Sequence, residues 1–97
     1  MKMVWVIYNQ VIQADVMDLM EEMEIRGFTR WREVQGRGGE KGDPHMGTFT
    51  WPSLNGVMMC VMEEEKARLF IEALKGLDEE LGTRGLRAYM TDVEAAF

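Results

Sequence analysis

The chain has 97 residues, the size of one domain with one core. Hydrophobic residues make up 46% and charged residues 29%, a globular balance, and no apolar run approaches the ~20 residues needed to span a bilayer. A formal net charge of −6 argues against a nucleic-acid backbone as partner, because such binders need a basic stripe to displace counterions. The single Cys60 can form no internal disulfide, and Met1-Lys2-Met3 does not open a secretory apolar region; a cytoplasmic location without direct membrane insertion is the expectation.

Val4-Trp5-Val6-Ile7-Tyr8 is β-branched and aromatic without polar alternation, and predicts a strand apolar on both faces. From about Gln13 the period changes. Val16, Leu19, Met20 and Met23 recur as the stripe of an amphipathic helix, with Asp15 in its first turn and Gly27 as its stop. Phe28 to Val34 predicts a second strand, with Phe28, Arg30, Arg32 and Val34 on one face and Thr29, Trp31 and Glu33 on the other. A glycine-rich stretch follows, holding the one histidine and both prolines. Gly56 to Met62 predicts a third strand, again apolar on both faces. Glu63 to Leu81 predicts a second helix on the stripe Ala67, Phe70, Ile71, Leu74, Leu77 and Leu81, closed by Gly82. Leu86 to Val93 predicts a fourth strand. The acidic clusters read as solvated helix faces, and the ten methionines as core filler.

The order βαββαβ is that of a ferredoxin-like α+β sandwich: an antiparallel four-stranded sheet with two helices on one face, one domain over residues 1–97. The other face would be left to water and should then be polar at alternate positions. Strands one and three are not. The chain has no further element to cover that face, so several copies are expected to pack their open faces together.

The segment GFTRWREVQGRGGEKG (Gly27 to Gly42) resembles the part of nitrogen-regulatory P-II proteins that runs through the second strand into their T-loop. The shared frame is Gly27, Thr29, Glu33-Val34, Gly36, Gly38 and Lys41-Gly42. LRAYMTDVEAAF (Leu86 to Phe97) is similar to the family's last strand, with Val93-Glu94 and the following alanine in place. The resemblance implies a homotrimer with its sheets facing inward. It also implies an effector site between subunits that takes ATP or ADP, often with 2-oxoglutarate, and a T-loop that reports occupancy to a regulated enzyme or transporter. The departures are specific. Residues 37–54 form a shortened T-loop with no tyrosine between Arg37 and Leu54, so regulation by tyrosine modification is not expected. Glu40 stands in place of a glutamine important for the metal–nucleotide complex. The phosphate-binding loop is cut to Gly82-Thr83-Arg84-Gly85, Arg87 replaces a phosphate-contacting lysine, and the C-terminal arginines that grip phosphates have no counterpart before Phe97. The same trimeric sandwich occurs in the divalent-cation-tolerance (CutA) family, so the fold alone does not choose a ligand.

The expected effector site takes Thr29, Gly36, Gly38 and Glu40 from the matched frame, with Arg84 and Arg87 supplying positive charge for a phosphate or carboxylate. His45, Phe49 and Trp51 are expected further out, as the face shown to a partner. Gly36, Gly38, Gly39, Gly42 and Gly47 give the loop many backbone states, so it is expected to be mobile until effector or partner binds. As a phosphate cradle the stretch lacks both the third glycine of GxGxxG and a following helix. As a metal loop it offers Glu40, Asp43 and the candidate ligand His45, short of a zinc site. Met58, Cys60 and Met62 share a strand face and are soft enough for Cu(I), or are plain packing. No nucleophile–base trio is present, and Cys60 sits among apolar residues, so an enzyme is not expected. The readings that compete with a P-II-like sensor are a CutA-like metal-binding trimer and a structural adaptor.

Overall fold

The computed structural model of the protein describes residues 1–82 and 85–97. Strand β1, Lys2–Asn9, lies at the interior of the main sheet. Its Val4, Val6 and Tyr8 are fully buried on one face, while Met3, Trp5 and Ile7 are half-buried on the other. A single 3-10 turn, Gln10–Ile12, is capped by the Asn9 carboxamide oxygen, which accepts the Val11 N–H at 3.1 Å. It leads into helix α1, Gln13–Glu22, which buries Val16 and Met20.

The end of α1 departs from the sequence reading. The stop is Glu24 (φ 58°), not Gly27. The Ile25 N–H reaches the Met20 carbonyl at 2.8 Å and the Glu24 N–H reaches Glu21 at 3.0 Å, the paired bonds of a Schellman end, with Met20 and Ile25 both buried. Glycine usually fills the left-handed place because it has no Cβ; here the buried contact holds a glutamate there at a cost of roughly 1 kcal/mol.

Strand β2, Thr29–Val34, pairs with strand β5, Asn55–Met62, as Thr29↔Met59, Arg30↔Met58 and Trp31↔Val57. The register then shifts before Val34↔Asn55. Glu33 sits in this bulge at φ 56°, its N–H held by the Gln10 side-chain oxygen at 2.8 Å. The alternation expected over Phe28 to Val34 therefore stops at Trp31, since a bulge adds one residue to one strand. Arg30 lies on the helix side, with its Nη1 on the Met17 sulfur at 3.5 Å and its guanidinium 5.8 Å from the Phe28 ring centroid.

Between β2 and β5 are two short strands, β3 (Gly36–Arg37) and β4 (Pro44–His45), paired with each other. In β5, Met58, Cys60 and Met62 point into the core, so the face proposed for soft ligands is closed by packing. Burial pushes the Cys60 thiol from 9.0 up to about 11. Gly56 sits under the buried Tyr8 ring, where an added Cβ would stand 2.7 Å from the phenol. Helix α2, Glu64–Glu80, buries Ala67, Phe70 and Leu74 and ends as expected at Gly82, φ 77°. Strand β6, Leu86–Asp92, completes the sheet at one edge. Lys2 ties three elements together, bonding to Asp92 and lying 3.3 Å from Glu64.

The main sheet is antiparallel in the order β2-β5-β1-β6, with both helices over one face: a ferredoxin-like α+β fold. The opposite face is uncovered. Register places Tyr89, Trp5, Met59 and Thr29 in one row across it, and Arg87, Ile7, Val57 and Trp31 in the next. Trp5 and Trp31 stack between rows, with ring centroids 6.1 Å apart and planes 18° from parallel. The two-sided apolar strands are thus real, and one of their sides packs under no element among the described residues. No helix among the described residues is long and apolar enough to cross a membrane.

Candidate functional site: a cationic cleft at the root of the loop

The stretch that the sequence left open has a shape of its own. β3 and β4 form a ribbon with Gly36 opposite His45 and Arg37 opposite Pro44. Arg37 closes the turn between them by donating from Nε to the Gly42 carbonyl (2.7 Å) and from Nη2 to the Glu40 carbonyl (2.6 Å). A second turn follows. The Gly47 N–H bonds the Ser53 carbonyl (3.0 Å), the Thr48 N–H bonds the Trp51 carbonyl (2.9 Å), and the Trp51 N–H bonds Thr48 Oγ1 (3.1 Å). Phe49 at its tip is fully exposed, and Trp51 is 40% exposed.

At the root the ribbon is fastened to the main sheet. Gln35 donates to the Met46 carbonyl at 2.9 Å, and the Gln10 N–H donates to Leu54 at the same distance. His45 Nδ1 lies 2.5 Å from Asn55 Oδ1. A carboxamide oxygen only accepts, so Nδ1 carries the proton of this bond. Asn55 is buried, and Gly36 is what makes room for it: a Cβ there would come within 2.6 Å of Asn55 Nδ2.

A cleft of about 340 Å³ opens between the ribbon and the sheet. Ile7, Val34, Val57 and Tyr89 supply its apolar walls; Arg37, Arg87, His45 and Asn55 supply its polar groups. Among the described residues no carboxylate lines it, although the chain carries 17 acidic residues against 11 basic ones. A neighbouring cleft of about 510 Å³ shares Gly38, His45, Gly85 and Arg87, and adds Lys41 and Asp43. One Arg87 nitrogen, Nη1, is used on the Leu86 carbonyl at 2.9 Å.

Of the expected effector residues, Gly36, Gly38 and Arg87 meet at this cleft. Thr29 does not; it lies at the far end of β2, opposite Met59. Glu40 is exposed at the ribbon's turn rather than at the root, with its carbonyl held by Arg37. Arg84 lies outside the described residues. His45, expected in the outer loop, is instead a root residue, because pairing with Gly36 folds the ribbon back and brings it to Asn55. Phe49 and Trp51 do occupy the outer turn. Sequence reading missed Asn55, Arg37 and Tyr89. A polar Asn55 heading an otherwise apolar strand was the available signal, since buried polar groups are found where they have partners. Among the described residues no three of His, Cys, Asp and Glu gather as a metal site.

The sequence model of nitrogen regulatory protein P-II matches residues 1–96. The chain belongs to the P-II family. Its fold is also that of solved P-II-like proteins. CPII from Thiomonas intermedia K12, a nitrogen regulatory PII-like protein solved with ADP, AMP and bicarbonate, superposes with a TM-score of 0.75 at 14% identity, covering 98% of this chain and 93% of CPII. CPII with ADP and bicarbonate gives 0.74 at 15% identity, covering 95% and 84%. A PII-like signaling protein from Thermus thermophilus gives 0.67 at 18% identity, covering 95% and 85%. No curated protein sequence matches the chain. This P-II family member therefore shares its architecture with those proteins at low identity, and its own residues must carry any statement about its ligand.

Proposed function

We propose that this P-II family protein is a regulatory sensor, not a catalyst, that binds a small anionic effector in the loop-root cleft. The single observation behind this is the charge inversion: a strongly acidic chain keeps carboxylates out of one cleft and lines it with Arg37, Arg87 and His45. A guanidinium binds phosphate or carboxylate in a bidentate manner, and the walls Ile7, Val57 and Tyr89 suit a flat organic body. An adenine nucleotide satisfies both demands, and the nucleotide-bound CPII structures support the same choice. Gly36 and Gly38 let the backbone approach the ligand, and Arg84 adds charge. Thr29 and Glu40 serve a ligand only from a neighbouring copy.

The uncovered face, with Trp5, Met59 and Val57, supports self-association, read as a homotrimer, and a cytoplasmic location is part of the same proposal. The outer turn, with Phe49 and Trp51 exposed, supports action on a regulated enzyme or transporter.

The test is titration calorimetry and thermal shift with ADP, ATP, 2-oxoglutarate and bicarbonate, on the wild type and on Arg87→Ala. At least one anion should bind and raise Tm. Arg87→Ala should weaken it about tenfold or more, the scale of one charge-assisted hydrogen bond. If none binds, or if Arg87→Ala binds equally well, the cleft is not the effector site.

A further inference from the structure

We propose that His45, oriented by Asn55, is the pH-responsive reader of the effector's oxyanion, so that the cleft holds a phosphate or carboxylate more tightly as pH falls. The inference rests on the reading of the cleft as an anion site and adds a residue outside the matched frame of the family.

The argument begins with the ring's two nitrogens. Nδ1 is committed to Asn55 Oδ1, which cannot donate, so its proton is present in both charge states of the ring. The proton that comes and goes is therefore the one on Nε2. Among the described residues Nε2 has no hydrogen-bond partner, and His45 lines both clefts beside Arg87. In the neutral ring Nε2 is a lone pair and repels an oxyanion. In the charged ring it is a donor and binds one through a charge-assisted hydrogen bond.

The surrounding charges favour the same linkage. Arg37 faces the cleft from β3, Arg87 and Tyr89 face it from β6, and Lys41 and Asp43 approach from the ribbon's turn. A bound oxyanion supplies a countercharge to these cations and an acceptor for the proton on Nε2, so an occupied cleft and a charged ring favour each other. Arginine alone cannot give this behaviour, because it does not titrate. The geometry also explains the packing around the ring. Gly36 leaves space for the Asn55 amide that holds Nδ1, and a Cβ added at Gly85 would stand 3.6 Å from His45 Cε1, so Gly85 borders the ring without crowding it.

The chain has one histidine, so nitrogen NMR of a protein labelled at the histidine ring reports His45 without assignment. The neutral ring should carry its proton on Nδ1. Sulfate, which keeps one charge state across the range, and acetate are the probes for phosphate-like and carboxylate-like ligands; the one that raises the ring's titration midpoint identifies the source. Affinity for that probe should rise about tenfold between about pH 8 and about pH 6. His45→Gln should flatten the rise, and Arg87→Ala should lower affinity at both pH values. A neutral ring protonated on Nε2, or a midpoint unmoved by an anion whose binding depends on Arg87, would overturn the role of His45 and leave the effector cleft standing. Absence of any Arg87-dependent anion binding would remove both.

Discussion

Replacing Gly36 by alanine tests whether the loop root is held as described. The new Cβ would stand 2.6 Å from Asn55 Nδ2, well inside contact distance. Asn55 is only 8% exposed, and its oxygen is bonded to His45 at 2.5 Å, so the amide has no free direction in which to retreat. Two relaxations are open. The amide can turn, which breaks the His45 bond and strands a buried polar group. Alternatively β3 can draw back, which breaks its pairing with His45. Either leaves a buried donor or acceptor unsatisfied, at a cost of about 1–3 kcal/mol. For a chain of this length that is a fall in Tm of roughly 4–24 °C. Gly38→Ala is the control, because a Cβ there meets nothing within 4 Å; it should stay within about 0.5 kcal/mol of wild type. Thermal unfolding at fixed protein concentration reads the stability, and the histidine-ring NMR reads the bond. If Gly36→Ala matches Gly38→Ala in both, Asn55 is free to move and the root is not a fitted joint.

Glu24→Gly should raise stability by about 1 kcal/mol in urea unfolding, since glycine carries no penalty at φ 58°; a loss would mean that the glutamate side chain stabilises the turn. Cys60 should resist thiol reagents in the folded protein. Its folded value of about 11 exceeds the ordinary 9.0, so the unfolded chain loses the proton first; that stabilisation is complete below pH 9 and disappears as pH rises toward 11, a fall that Cys60→Val should reduce. Trp5→Glu should dissociate the proposed trimer to its 11.2 kDa monomer in light scattering, because it buries a charge on the uncovered face. A variant still trimeric would show that this face is not the interface.

The main elements were legible because their signals are local. Val4 to Tyr8, the stripe from Val16 to Met23, and Ala67 to Leu81 each carry their period within a dozen residues or so, and the structure bounds them within a few positions. The lining of the candidate cleft was legible in part. Gly36, Gly38 and Arg87 were reached through a family frame. His45 was placed on the wrong side of the loop, because its position depends on a bond to a residue ten places away and on a two-residue ribbon too short to show any period. The bulge at Glu33 was invisible for a similar reason. It is fixed by Gln10, 23 residues earlier, and nothing in the Glu33 side chain favours φ 56°. The exit of α1 misled in the opposite sense. Gly27 carried the usual stop signal, but the buried Met20–Ile25 contact decided the turn three residues sooner.

The cleft and the uncovered face are one physical problem. Ile7, Val57 and Tyr89 belong to both, and the row that crosses the sheet through Trp31, Val57 and Ile7 ends at Arg87. Packing further copies against that face, as proposed, removes water from the apolar part of the row and leaves a guanidinium at its margin. A partly desolvated cation is costly unless it is paired, and among the described residues no carboxylate in this cleft pairs it. On the proposed reading an oxyanion at Arg87 would supply the missing charge, and ligand and assembly would then stabilise each other. The Gly36–Asn55–His45 joint lies in the same place, at the point where the loop leaves the sheet. Occupancy there, as proposed, would act first on the ribbon's attachment, and the outer turn with Phe49 and Trp51 hangs from that ribbon. On this proposal a shortened loop would still report a ligand: the signal would cross one hydrogen-bonded joint, and the length of the loop beyond it would set only how far the exposed aromatic residues reach.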